Sequence, residues 1–177
     1  VMLCECPELL DKTSRIVVFD HHRKTSGAIE NYSLTYHEAY ASSTSEMVTE
    51  MLMYIKGVRL SRAEIEGLLA GITVDTKNFA FKTGIKTFEA AAFLKKNGAD
   101  TISVRRLFKS SFDAYMAKTE IVRTAEIIFD NMAISELDRE VENPSVLIAQ
   151  AADELLSIDG IEVSYVLCKV GNRICIS

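Results

Sequence analysis

The chain has 177 residues, 48% hydrophobic and 25% charged, with a formal net charge of −5. That composition excludes a disordered or fibrous protein, and the acidic balance excludes a nonspecific nucleic-acid binder working through a broad basic surface. No apolar run is long enough for a membrane span and no signal-peptide pattern is visible, so no membrane contact is expected from this segment.

In chain order, Pro7-Glu8-Leu9-Leu10 predicts a short helical turn. Residues 16–19 are apolar and rich in β-branched side chains, the pattern of a central strand in a parallel sheet. Residues 27–41 show no sustained period and read as an irregular connection. Ser43-x-x-Glu46 is a capping box, with Met47, Val48, Met51, Leu52 and Ile55 on one helical face, and Gly57 ends that helix. A second capping box, Ser61-x-x-Glu64, opens a helix whose Ile65, Leu68, Leu69 and Ile72 form a buried stripe. Residues 87–97 predict a third helix and Asp100 caps a fourth. From Phe112 the apolar positions Tyr115, Met116, Ile121, Val122, Ala125 and Ile128 predict one long helix to about residue 128. Residues 132–135 read as a strand and the charged residues 137–142 as a linker. Asn143-Pro144 offers an N-cap and a first-turn proline for a helix that stops before the Asp159-Gly160 turn. Residues 161–169 and the strand after Gly171-Asn172 read as a hairpin. This order predicts an α/β domain joined to the beginning of a smaller α/β domain.

The densest chemistry is Asp20-His21-His22, directly after the first strand. The chain has three histidines, and two are adjacent here. The C-terminal edge of a parallel strand is where α/β sheets collect ligands, and imidazole with carboxylate suits Mn²⁺, Zn²⁺ or Fe²⁺. Hydrogen bonds to backbone carbonyls are the plain alternative. Asp75 continues the stripe of Leu68 and Ile72, so its carboxylate must be paired, hydrogen-bonded or cation-bound, or else reach solvent or cap Asn78. Ser42-Ser43-Thr44-Ser45 opens a helix whose hydroxyls and N–H groups could take a phosphate, with simple capping by Ser43 as the alternative. Arg23, Lys24, Lys77 and Lys82 flank the two acidic motifs and could attract phosphate oxygens. His37-Glu38 is a further polar pair, or a loop position. Walker A and Gly-x-Gly-x-x-Gly patterns are absent. Cys4, Cys6, Cys168 and Cys175 read as reduced thiols, because Cys4-x-Cys6 lacks zinc-knuckle spacing.

Four segments carry a family resemblance: Val17-Val18-Phe19-Asp20-His21-His22-Arg23, Tyr40-Ala41-Ser42-Ser43-Thr44-Ser45-Glu46, Gly71-Ile72-Thr73-Val74-Asp75-Thr76-Lys77-Asn78-Phe79 and Thr87-Phe88-Glu89-Ala90-Ala91. The chain resembles the DHH phosphoesterase superfamily and, within it, the GdpP-type cyclic-di-AMP phosphodiesterases. The resemblance implies a partial parallel-sheet DHH domain over residues 1–136, including a long linking helix. The start of a smaller α/β DHH-associated substrate-binding domain would follow over 137–177.

It also implies a hydrolase that opens cyclic-di-AMP to the linear dinucleotide pApA with a pair of Mn²⁺ ions. By resemblance, His21 and Asp75 ligate one metal. Asp20 orients His21, and His22 faces the scissile phosphate, so Asp20 and His22 are the catalytic pair. Arg23, Ser42, Ser43 and Thr44 lie on the substrate side. The implied partners are a cyclic dinucleotide or short nucleotide and a second subunit, not duplex DNA. The implied location is cytoplasmic, in a parent protein that such families often anchor through N-terminal segments. The family's first metal motifs and its glycine-rich C-terminal motif are not in these residues, so the chain reads as a piece of a longer enzyme, inactive alone. Two other readings remain. One is a DHH-family oligoribonuclease or 3′-phosphoadenosine 5′-phosphate phosphatase; the other is a catalytically silent nucleotide-binding domain.

Overall fold

A computed structural model describes residues 6–23, 29, 31–139 and 141–177; Cys4 and Lys24 lie outside the described residues. Its contacts divide the chain into two compact units, residues 1–108 and 109–177.

The first unit begins with a 3-10 turn, Pro7–Lys12, and two strands, β1 (Val17–Asp20) and β2 (Leu34–His37). Four helices follow: α1 (Thr44–Tyr54), α2 (Arg62–Asp75), α3 (Ile85–Lys96) and α4 (Thr101–Leu107). β1 and β2 pair in parallel, from Val17 opposite Leu34 to Asp20 opposite His37. β2 falls inside the stretch that reads as irregular. Leu34-Thr35-Tyr36-His37 alternates over only four residues, too few to stand out; the ladder to β1 makes it a strand.

The caps follow local rules. Ser61 Oγ accepts from Glu64 N while Glu64 accepts from Ser61 N at 2.7 Å, a complete capping box. Asp100 accepts from Ile102 N at 3.0 Å. α3 starts two residues earlier than its expected start at Thr87, because Thr87 Oγ1 accepts the Gly84 N–H and closes the first turn. Ile65, Leu69 and Ile72 of α2 form the core with Ala90 and Leu94 of α3, Ala99 and Val104. α1 crosses α2 so closely that a Cβ at Gly71 would run into the Ser45 hydroxyl and stand 3.0 Å from its Cβ. Glycine permits that approach.

The second unit contains α5 (Phe112–Arg123), β3 (Glu126–Ile128), β4 (Met132–Leu137), α6 (Pro144–Leu156), β5 (Val163–Val170) and β6 (Arg173–Ile176). The sheet order is β3-β4-β5-β6, with β4 and β5 parallel and the outer pairs antiparallel. Ala133, Leu137, Val166 and Cys168 on one sheet face pack with Ala117 and Ile121 of α5 and Leu147, Ile148, Ala151 and Leu155 of α6.

Two expectations are corrected here. The helix expected to reach residue 128 ends at Arg123, and Ile127 and Ile128 enter a strand paired with β4. Thr124 Oγ1 closes the helix end on Glu120 O at 2.9 Å, and Ser135 Oγ of β4 donates to Ile121 O at 2.7 Å. The contacts divide after residue 108, and the expected domain boundary lies between 136 and 137. Parallel β4 and β5 need a crossover between them, and α6 supplies it within a β4-α6-β5 unit that shares a compact unit with α5. Asn143 adopts a left-handed conformation, φ 48°, and its side chain does not cap α6.

Both units are thus α/β with a parallel strand pair. Among the described residues, no helix is long and apolar enough to cross a membrane.

Candidate functional site

β1 ends at Asp20, and the chain turns there. Asp20 Oδ1 accepts the His22 backbone N–H at 2.9 Å and meets His22 Nδ1 at 2.8 Å. A carboxylate accepts and does not donate, so Nδ1 carries the proton in this bond. That leaves Nε2 as the ring nitrogen not engaged by Asp20, on a side chain that is 67% exposed. The expected pairing of Asp20 with His21 is therefore corrected: Asp20 orients His22. The reason is local, since an Asp side chain closes readily on the residue two ahead. Partial burial pushes the Asp20 carboxyl up. The bonds from the His22 N–H and ring, with nearby His37, outweigh it and hold the group below its ordinary value.

His21 turns the other way. Its Nε2 stands 3.5 Å from Asp75 Oδ2, with side chains 13% and 38% exposed. The His21 and His22 rings lie 4.4 Å apart, tilted by 48°. Asp75 is the last residue of α2, and the backbone behind it is tightly held. Lys77, Asn78 and Phe79 all have positive φ, at 46°, 59° and 65°. Each such non-glycine residue costs about 1–2 kcal/mol. Buried Thr76 holds the turn: its hydroxyl donates to Ile72 O at 2.7 Å and accepts from Phe79 N, while its carbonyl accepts from Ala80 and Phe81 N. The Asn78 N–H goes to Thr73 O at 2.8 Å, so Asp75 is not its cap.

The serines behave differently from the expectation that they line a substrate approach. Ser42 and Ser43 are both almost fully buried. Ser43 Oγ caps α1 by accepting from Glu46 N at 3.0 Å. Ser42 Oγ and Thr87 Oγ1 each donate to Glu46 Oε2 at 2.5 Å. These hydroxyls satisfy a buried carboxylate that could not otherwise stay inside. Thr44, in the first turn of α1, remains partly exposed, and Arg23 is exposed.

One neighbour has a larger place than its sequence signal suggests. His37 lies beside Asp20 in the β1–β2 register, and its buried Nε2 has no hydrogen-bond partner among the described residues. The clue in sequence is its pairing with Glu38, whose N–H donates to Asp20 O at 3.0 Å.

Two donors on one divalent cation, each about 2.0–2.2 Å from it, stand roughly 3 Å apart, so the facing of His21 and Asp75 fits a shared ion. Among the described residues no group of three or more His, Cys, Asp or Glu is gathered to hold a metal.

Residues 5–73 match the model of the DHH family, N-terminal domain. The chain is 46% identical over 165 residues to a cyclic-di-AMP phosphodiesterase GdpP of Geobacillus thermodenitrificans, covering 93% of the chain and 25% of the relative. It is 42% identical to the GdpP of Bacillus subtilis, covering 96% of the chain and 26% of the relative. To the cyclic-di-AMP phosphodiesterase PdeA of Listeria monocytogenes it is 41% identical, covering 90% of the chain and 24% of the relative. The chain therefore spans about a quarter of the length of these curated relatives. An exopolyphosphatase-related protein from Bacteroides fragilis shares the fold at a TM-score of 0.79 and 19% identity, over 92% of this chain and 49% of that one. Asp-His-His at the end of β1, within the matched residues and alongside these identities, makes the chain a member of the DHH family, of the GdpP type.

Proposed function

We propose that this chain carries part of the centre of a metal-dependent phosphodiesterase that opens cyclic-di-AMP to pApA. The single observation that carries the reading is the meeting of His21, just past β1, and Asp75, the last residue of α2, at 3.5 Å. The names of the similar proteins supply the substrate class.

His21 and Asp75 hold the cation, and their nitrogen and oxygen donors suit Mn²⁺. Bound there, the ion supplies positive charge to phosphate oxygens and acidity to the attacking water. Asp20 fixes the tautomer of His22, whose Nε2 then holds or passes a proton at a phosphate oxygen. Arg23 offers its guanidinium to a phosphate, and Thr44 offers a hydroxyl. Ser42 and Ser43 act behind them by shaping the start of α1. The first unit is then the DHH part, and the second unit opens the DHH-associated substrate-binding domain. The reaction is that of a cytoplasmic homodimer on a small nucleotide, and the chain's net charge of −5 suits such a substrate better than duplex DNA.

The test is calorimetric titration of Mn²⁺ into the protein that carries this chain, beside turnover of cyclic-di-AMP, pApA and 3′-phosphoadenosine 5′-phosphate. His21→Ala and Asp75→Ala should each weaken Mn²⁺ binding by at least about 10-fold. Unchanged affinity in both variants overturns the metal site. Preferential turnover of pApA or 3′-phosphoadenosine 5′-phosphate overturns the substrate assignment and leaves the site standing.

A further inference from the structure

Cys168 of β5 and Cys175 of β6 stand directly opposite each other in an antiparallel ladder. Val166 and Ser177 exchange both N–H···O bonds at 3.0 Å. Two residues along each strand, Cys168 and Cys175 fall on the same kind of pair, in which Cα atoms lie about 5.5 Å apart. That separation is within the range a disulfide bridges, about 4.4–6.8 Å. Opposed residues share a face, so both side chains point toward the helix-covered core. Cys168 is buried there, and Cys175 packs against the same cluster. Both are free thiols. They differ in access: Cys175 is half-buried, and Cys168 is almost wholly enclosed. Burial pushes the Cys168 thiol up, and the nearness of Cys175 adds to this.

We propose that Cys168 and Cys175 are a reversible dithiol, in which a hydroperoxide oxidises Cys175 first and Cys168 then closes an intrachain disulfide. The Cys175 thiolate attacks the peroxide oxygen, the O–O bond breaks, and hydroxide leaves as Cys175 becomes a sulfenic acid. Cys168 then attacks the Cys175 sulfur; its proton and the sulfenic hydroxyl leave as water. One peroxide is reduced and two thiols are oxidised. The order follows from access, since thiolate character and exposure govern attack on an oxidant, and Cys168 has little of either. Side chains of a doubly hydrogen-bonded pair stand further apart than those of neighbouring pairs, so the bridge closes with some strain and opens readily to a dithiol reductant. Among the described residues β6 is bonded to β5 alone, so this bridge adds a covalent hold to a strand otherwise kept by its ladder.

The experiment uses the full chain carrying Cys4→Ser and Cys6→Ser, treated with one equivalent of hydrogen peroxide. The expected product has lost two hydrogens, resists alkylation when unfolded, yields a Cys168–Cys175 disulfide on peptide mapping, and is restored by dithiothreitol. In the same background, Cys168→Ala should leave Cys175 as a dimedone-trapped sulfenic acid, and Cys175→Ala should leave Cys168 unmodified. Two thiols still open to alkylation after oxidation overturn the proposal. So does a bond that joins two chains, or a Cys175 sulfinic acid beside a free Cys168. The mapping on the unsubstituted pair decides the matter even where either alanine variant folds poorly.

Discussion

Two carboxylates in the first unit have opposite surroundings. Glu46, in the first turn of α1, is 3% exposed, and two hydroxyls from separate segments donate to one of its oxygens. Asp75, at the end of α2, keeps a 38% exposed side chain and faces an imidazole at 3.5 Å. Three donors, the Ser42 and Thr87 hydroxyls and the Ser42 N–H, converge on Glu46 Oε2. Asp75 still has lone pairs to offer. A carboxylate completed by hydroxyls is a part of the architecture; one left open beside a histidine is available to a cation.

Removing each carboxylate should separate these roles, beginning with the largest effect. Glu46→Ala strips the acceptor from Ser42 and Thr87 in a buried place and should cost about 3 kcal/mol of stability by urea denaturation. A loss under about 1 kcal/mol would show that these hydroxyls find other partners. Gly71→Ala comes next. Helix propensity favours alanine by about 1 kcal/mol, yet the new Cβ meets Ser45 on α1, and a net loss of about 2 kcal/mol is expected. Adding Ser45→Gly should recover most of it; failure to recover would place the strain elsewhere. Asp75→Ala should change stability by less than about 1 kcal/mol, because the group is partly exposed and its 3.5 Å contact with His21 is open to solvent. A large loss there would make Asp75 structural and erase the contrast with Glu46.

The smallest effect is a pH dependence at the cap of α4. The Ile102 N–H and the Ser103 hydroxyl hold the Asp100 carboxyl below its ordinary value of 3.8. A folded-state value below the unfolded one means stabilisation that is fully present above the ordinary value and lost as pH falls through the lower one. The fall in unfolding midpoint on acidification should be shallower in Asp100→Asn than in the parent. Identical slopes would show that the cap contributes nothing to acid sensitivity.

Much of the fold was legible because helix starts are local. Ser43, Ser61 and Asp100 act within three residues of themselves, and the stripe of Ile65, Leu69 and Ile72 needs nothing beyond helical period. β2 was hidden because its alternation, Leu34-Thr35-Tyr36-His37, lasts only four residues inside a polar stretch, and its partner β1 lies well upstream. The end of α5 was hidden because Ile127 and Ile128 satisfy helix and strand patterns equally. In the site, Asp-His-His at a strand end and Asp75 on a buried stripe were both visible. The serine cluster was visible as well, but its use was not. Ser42 bonds to a carboxylate four residues away, and the second hydroxyl on that same oxygen, Thr87 of α3, is 41 residues distant in sequence.

By itself the sequence determined the caps, the helical stripes and the placing of two histidines and a carboxylate just past an apolar strand. Those features depend on φ/ψ preferences and side-chain spacing within a few residues. Tertiary structure alone decided that His21 turns to Asp75, and that Glu46 is sealed while Asp75 stays open. Each of these outcomes rests on how closely α1, α2 and α3 approach one another and the strands, and such distances come from packing rather than from local preference.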